Sequence, residues 1–459
     1  DTYAQKIGKK LQKISVGDQL YKHLNECRKL LIEKLGAWNN IRDKNLLDEG
    51  VQKLLDRLIF IRVAEDRGIE QSILIPLVRE WVNDKKGKGI YESMIGKFRE
   101  LDGIYNSNLF TEHTFEKWNE SPGVTEEVIK ILQGKTGYYE YDFKVMPADV
   151  LGAVYENYLG HRLAQSQKGL ILDKDAQKRK EQGIYYTPSF IVDYIVRNAL
   201  KPVLDKCRSV NDLKKIKILD PACGSGSFLI KALEVINDKY KEFGNKGNEY
   251  TKITILLENI YGVDLDKQAV EIARLNLLLS TLETRIKLPK LDKNIKNGNS
   301  LISGSDEDLR KYFGANFRNK KPFNWEEEFP EVFKQGGFDV IIGNPPWGAN
   351  IDEDVEYLGV KYHQSTKAHK DTYKIFIDLA IQKLKPGGML GFIVPNTFLY
   401  QPRYQDIKDL LENYKYLVVN LGEKIFINVE LPCCVLIAEK NQSDNHIVID
   451  LTKTDRSEL

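Results

Sequence analysis

The chain has 459 residues, 42% of them hydrophobic, which is enough to bury more than one core, so two domains are expected. Lys plus Arg (68) nearly balances Asp plus Glu (66), and the formal net charge of +2 excludes a global polycation that would hold nucleic acid nonspecifically. The five cysteines show no paired spacing suggesting a disulfide framework or a zinc site, and no apolar run approaches bilayer length, so a soluble, cytoplasmic protein is expected.

From Tyr3 to about Leu35, the residues Ile7, Leu11, Ile14, Leu20, Leu24, Leu30 and Leu31 fall mostly at helical spacings among many lysines, which predicts a solvated helical region. Position 1 is Asp and the first residues already read as helix, so a piece of a longer polypeptide is expected. The pattern sharpens at Val51, Leu54, Leu55, Leu58, Ile59 and Ala64, predicting a helix with one buried face that Gly68 stops. Further helices through Tyr158, the last marked by Leu151, Val154, Tyr155 and Tyr158, complete an all-α domain over residues 1–160. Residues 161–182 are rich in Gln, Lys and Asp and read as a linker.

From 183 to 445, short apolar runs alternate with helical patterns: 216–219, 260–263, 340–342, 390–394, 417–420 and 433–438. That rhythm predicts a doubly wound α/β sheet, Rossmann-like in class. The last two runs have no helical segment between them and predict an antiparallel edge hairpin. Residues 446–459 read as the start of a further segment.

The first run leads into Asp220-Pro221-Ala222-Cys223-Gly224-Ser225-Gly226, a tight turn ahead of a helix. Gly224 and Gly226 let backbone approach a ligand closely at the carboxyl edge of a strand. A dinucleotide fingerprint would want a third glycine at 229, where Leu229 stands. Asp220 would also repel a pyrophosphate, whereas it attracts an ammonium, which favours a cofactor with an amino-acid end. The second run ends in Asp264-Leu265-Asp266, and a carboxylate at that edge can accept bonds from both ribose hydroxyls. The third feature, Phe338 to Gly343, is a buried strand that delivers Asn344-Pro345-Pro346-Trp347. An exocyclic ring amine is a poor nucleophile because its lone pair is delocalised. The Asn344 side-chain oxygen and the Pro345 carbonyl can each accept one amine hydrogen, drawing the nitrogen toward tetrahedral geometry. Trp347 offers a flat face for a base taken out of its stack.

In this order the segments resemble the S-adenosylmethionine-dependent DNA methyltransferases that modify adenine N6, with Leu54 to Gly68 similar to the helical connector of type IIG restriction-modification enzymes. The likeness covers nearly all of residues 45–440. It implies catalytic roles for Asn344, Pro345, Pro346 and Trp347, and base contact by Phe426, which equally suits a core position. It implies cofactor contacts from Thr187, in the Gly183-Ile184-Tyr185-Tyr186-Thr187-Pro188 segment, and from Asp220, Ala222, Gly224, Gly226, Asp264, Leu265, Asn299 and Phe376. The family usually has Asp where Asn299 stands; an amide oxygen can still accept a bond from the cofactor adenine. No metal is implied. The expected partner is double-stranded DNA, with a nuclease and a target-recognition domain of the same polypeptide outside this chain; a stand-alone or type I modification methylase subunit, and a noncatalytic DNA-binding scaffold with a relic cofactor site, are the rival readings. Residues 348–371 read as a long loop whose Lys361, His363, Lys367, His369 and Lys370 suit either phosphate contact or a solvated surface.

Overall fold

The structure is a computed structural model that describes residues 16–84, 89–105, 108–120, 123–134, 141–144, 161–166, 169–174, 187–426, 431–443 and 445–453. The chain divides into two compact units, one of Asp1–Phe98 and Glu112–Asp173, the other of Arg99–Thr111 and Lys174–Leu459.

In the first unit, helices Val16–Trp38, Lys44–Asp66, Leu74–Asn83 and Val124–Gln133 supply the core. The second of these starts where the Asp43 carboxylate accepts from the backbone N–H groups of Asn45 and Leu46, two donors the helix cannot satisfy itself. It ends at Asp66, two residues before Gly68, whose φ of 71° is left-handed. Only one face was expected to be buried, yet every residue from Leu54 to Ala64 is buried. Apolar periodicity misses this because three of the buried side chains are charged and internally matched. Gln52 donates to Asp56 at 2.7 Å, and Arg62 pairs with Glu65 at 2.9 Å. Arg57 bonds Glu116 at 2.7 Å and lies over the Phe115 ring, 4.7 Å from its centroid. The expected helix marked by Leu151 to Tyr158 lies outside the described residues. The stretch expected to be a linker instead contains two paired strands, β1 (His161–Ser166) and β2 (Gly169–Lys174).

The second unit is built on an eight-stranded sheet: β3 (Ile218–Asp220), β4 (Ile260–Asp264), β5 (Ile295–Asn297), β6 (Phe338–Gly343), β7 (Leu384–Pro395), β8 (Lys415–Gly422), β9 (Cys433–Glu439) and β10 (His446–Asp450). Their spatial order is β10-β8-β9-β7-β6-β3-β4-β5. Strands β3 to β7 are mutually parallel, whereas β9 runs antiparallel to both β7 and β8. The chain leaves β3 toward β4 and β5, then returns to the other side of β3 with β6 and β7. The order therefore reverses between β3 and β6, and ligands of such sheets bind at the carboxyl ends beside that reversal.

Helix Ser189–Leu204 covers one face of the sheet closely because Gly391 of β7 has no side chain; a Cβ there would meet Ala199 Cβ at 2.9 Å. The closing strands form the expected antiparallel pair, but β10 then adds in parallel beside β8 and becomes the outermost strand. Ile447, Val448 and Ile449 are contiguous and exposed, so no alternation marks this strand in the sequence.

Candidate active site

After β3 the chain turns sharply. The Asp220 carboxylate, 1% exposed, accepts from the Ala222 N–H at 3.0 Å, and Gly224 and Gly226 take φ values of 51° and 86°. Asn276 and Ser300 brace this turn from outside it, donating to the Ser225 and Pro221 carbonyls at 3.0 and 2.6 Å.

The turn is tied to the end of β4 by one carboxylate. Asp264 accepts from the Gly224 N–H at 2.9 Å through one oxygen and from the Asp266 N–H at 2.8 Å through the other. Burial pushes its carboxyl up from 3.8 to about 6, although both backbone bonds and Lys321 pull it down. The buried Cys223 thiol beside it is pushed well above its ordinary value, by burial first and then by the Asp264 and Asp220 carboxylates, so it stays a neutral thiol. Leu265 is 49% exposed, and its carbonyl accepts from Asn297 and Lys321, both at 3.0 Å. Gly298 donates to the Asp264 carbonyl at 2.9 Å, which brings Asn299 alongside. The Asn299 side-chain oxygen accepts from the Leu301 N–H at 3.1 Å, so one of its two lone pairs already serves the loop.

Across the strand reversal, Gly343 ends β6 with φ 153°, and a Cβ on it would lie 2.7 Å from Asp220 Oδ1. The two expected halves of the site therefore touch through a residue without a side chain. Asn344 follows and donates from its amide nitrogen to Thr187 Oγ1 at 3.1 Å. The acceptor half of that amide is then its carbonyl oxygen. Thr187 is buried, and Gly183 to Tyr186 of the same motif lie outside the described residues.

Trp347 and Phe426, 4% and 5% exposed, meet at 87° with ring centroids 5.2 Å apart. Phe376, buried, sits in helix Thr372–Lys383. Two residues that sequence reasoning passed over start this helix. Thr372 donates to the Pro346 carbonyl at 2.7 Å and accepts from the Ala349 N–H at 3.3 Å, while Asp371 accepts from the Gly348 N–H at 2.9 Å. An Asp-Thr pair ahead of a helix reads as an ordinary cap, so the sequence carries no special signal for this contact.

The segment read as a long loop is in fact docked. It contains helix Val355–Lys361, and Tyr357 and Tyr362 donate to the carbonyls of Ser303 and Leu301 at 2.6 and 3.1 Å. Lys361, His363, Lys367 and His369 remain exposed. The far end of the segment is pinned by Lys374, fully buried, which bonds both oxygens of Asp406 at 2.7 Å and the His369 carbonyl at 2.6 Å. Burial pushes the Lys374 ammonium down, and Asp406 holds it up.

A mostly parallel sheet with a glycine turn after its central strand, a carboxylate after the next, and Asn-Pro-Pro-Trp across the reversal has the layout of the Rossmann-like methyltransferases. Residues 209–303 match an RMKL-like methyltransferase domain. Residues 258–426 match the model of the Eco57I restriction-modification methylase family.

The chain is 30% identical to the type II restriction enzyme and methyltransferase RM.Eco57I of Escherichia coli, over 97% of this chain and 46% of that protein. It is 26% identical to the putative type II restriction enzyme and methyltransferase RM.MjaORFECS2P of Methanocaldococcus jannaschii, over 84% of this chain and 48% of that protein. The fold is shared with the type IIL restriction-modification enzyme MmeI, solved in complex with DNA, at a TM-score of 0.62 and 15% identity, covering 94% of this chain and 58% of that one. The chain spans about half the length of the curated relatives it matches.

Proposed function

We propose that the chain transfers a methyl group from S-adenosylmethionine to the N6 amine of an adenine flipped out of duplex DNA, as the methylase part of a type IIG restriction-modification protein. The observation that carries this reading is the junction of Gly343 with Asp220, which brings a turn suited to an amino-acid-ended nucleoside to the residue just before Asn344.

The residues present fit that cofactor. Asp264 offers a partly desolvated carboxylate to a ribose, the exposed Leu265 offers an apolar face beside it, and the buried Asp220 suits an ammonium. Thr187, Ala222, Gly224, Gly226, Asn299 and Phe376 complete the proposed cofactor set. Bound there, S-adenosylmethionine supplies an electrophilic methyl on a sulfonium. The chain's own contribution is to orient the acceptor. The Asn344 side-chain oxygen and the Pro345 carbonyl take the two amine hydrogens, and those bonds strengthen as the nitrogen becomes tetrahedral. Trp347 and Phe426, set nearly at right angles, form a corner in which a base stacked on one ring meets the edge of the other. Strong base is unnecessary because the amine proton becomes acidic only after methylation begins.

The nuclease and target-recognition functions belong, in this proposal, to parts of the polypeptide outside residues 1–459. The test is transfer of labelled methyl from S-adenosylmethionine to duplex DNA by the full-length protein, followed by digestion to nucleosides. Label in N6-methyladenine, lost in Asn344→Ala, is the expected result. Label in a cytosine derivative, or none in DNA, refutes the assignment.

A further inference from the structure

We propose that Asp371 and Thr372 are positioning residues for methyl transfer, setting the Asn344-Pro345-Pro346-Trp347 segment in its working geometry; this rests on the methyl-transfer reading above. A segment with two consecutive prolines cannot hold itself. Neither Pro345 nor Pro346 has an N–H, so the turn has few backbone bonds with which to fix its peptide planes. Something outside it must do so.

The start of helix Thr372–Lys383 does this at three points. Thr372 uses one hydroxyl twice, donating to the Pro346 carbonyl and accepting from the Ala349 N–H. Asp371 takes the Gly348 N–H between them. Together these bonds fix the peptide planes on both sides of Trp347, and with them its Cα–Cβ direction; through Pro346, whose ring fixes φ, they also restrict the plane that carries the Pro345 carbonyl.

Two further features argue that this contact is more than ordinary capping. Asp371 stands at the N-cap of its helix, where an aspartate normally accepts from the helix's own first N–H groups, yet its side chain makes no such bond. The helix forgoes a stabilising cap while the carboxylate holds the Gly348 N–H instead. The helix start is also anchored independently. Lys374, two residues on, is locked to Asp406 in a buried pair, so Asp371 and Thr372 project from a fixed base.

Thr372 and Phe376 are four residues apart and share one helix face. The same rigid element therefore carries the proposed cofactor-adenine contact and the support of the acceptor turn. Neither Asp371 nor Thr372 is proposed to touch substrate; both act through the turn.

The test compares Thr372→Val, Thr372→Ser, Asp371→Ala and Asp371→Asn in the full-length protein, measuring single-turnover methyl transfer to duplex DNA, cofactor affinity by calorimetry, and the melting temperature. Valine fills the same space without a hydroxyl, whereas serine keeps it; asparagine keeps an oxygen for the Gly348 N–H. Thr372→Val and Asp371→Ala are expected to lower the transfer rate about tenfold to a hundredfold, the scale of a small misplacement of reacting groups, with cofactor affinity changed by less than about twofold. Thr372→Ser and Asp371→Asn are expected to restore most of the rate. Wild-type transfer with Thr372→Val and Asp371→Ala also at full rate overturns the positioning role alone. Parallel loss of rate, cofactor affinity and melting temperature, without rescue by serine or asparagine, overturns it in favour of a purely structural role. A wild-type protein that transfers no methyl group overturns both readings.

Discussion

Asp264 gives the sharpest test of the cofactor site, because its environment makes binding depend on pH in a range where most carboxylates are silent. Burial raises its carboxyl from 3.8 to about 6. The sign follows: the ionised form, which can accept from two ribose hydroxyls, dominates above that value and is lost below it. At pH 7.5 nearly all of the site is ionised, whereas at pH 5 only about one part in ten is. Cofactor affinity should therefore fall about tenfold, or about 1.4 kcal/mol, between those pH values. The groups facing Asp264 are Asp266, Lys321, Cys223 and the Gly224 N–H, and burial outweighs the pull of Lys321 and the backbone bonds.

Linkage gives a second consequence. A carboxyl raised in the folded state adds stability that is complete below its unfolded value and is lost as pH rises through about 6. At neutral pH the ionised group therefore costs up to about 3 kcal/mol of apo stability. Asp264→Asn removes that cost but leaves one acceptor where two backbone N–H groups need one each, a penalty of about 1 to 3 kcal/mol. The melting temperature of the apo variant should thus be nearly unchanged, its affinity weak, and its binding flat with pH. Calorimetric titration of S-adenosylmethionine at half-unit intervals from pH 5 to 8, for both proteins, measures this. An affinity that does not change with pH in the wild type, or that falls equally in Asp264→Asn, would refute the ribose role.

Asn344→Ala should lower methyl transfer by at least about a hundredfold with cofactor affinity preserved, since its bonds matter mainly as charge develops on the amine; equal loss of both in kinetics and calorimetry would contradict this. Trp347→Ala should weaken capture of an extrahelical base by about 1 to 3 kcal/mol, read as a raised KM for DNA, with Trp347→Tyr closer to wild type. Lys374→Met should destabilise the second unit by about 3 to 5 kcal/mol in urea unfolding, because Asp406 is left charged and buried, and adding Asp406→Leu should recover much of the loss. Gly343→Ala should damage both folding and cofactor binding, as its Cβ would press on Asp220 Oδ1 at 2.7 Å; a variant that binds cofactor normally would show that this junction yields.

The alternation of apolar runs with helical patterns was enough to indicate a doubly wound sheet, because parallel strands buried on both faces need continuous apolar stretches. The short acidic glycine turn and Asn-Pro-Pro-Trp were legible for a similar reason: their chemistry depends on backbone and side-chain types that leave local traces. Contacts between distant segments leave none. Nothing near Thr187 marks it as the partner of Asn344, 157 positions away, and nothing in Asp371-Thr372 distinguishes a support for the acceptor turn from a helix cap. The burial of Leu54 to Ala64 on all sides depended on charges being matched by residues such as Glu116, and β10 on finding an open edge at β8. Even the value of about 6 at Asp264 arises from desolvation by neighbours drawn from other strands and loops. Local sequence determines which chemistry is available, whereas its alignment is set by which elements the sheet brings side by side.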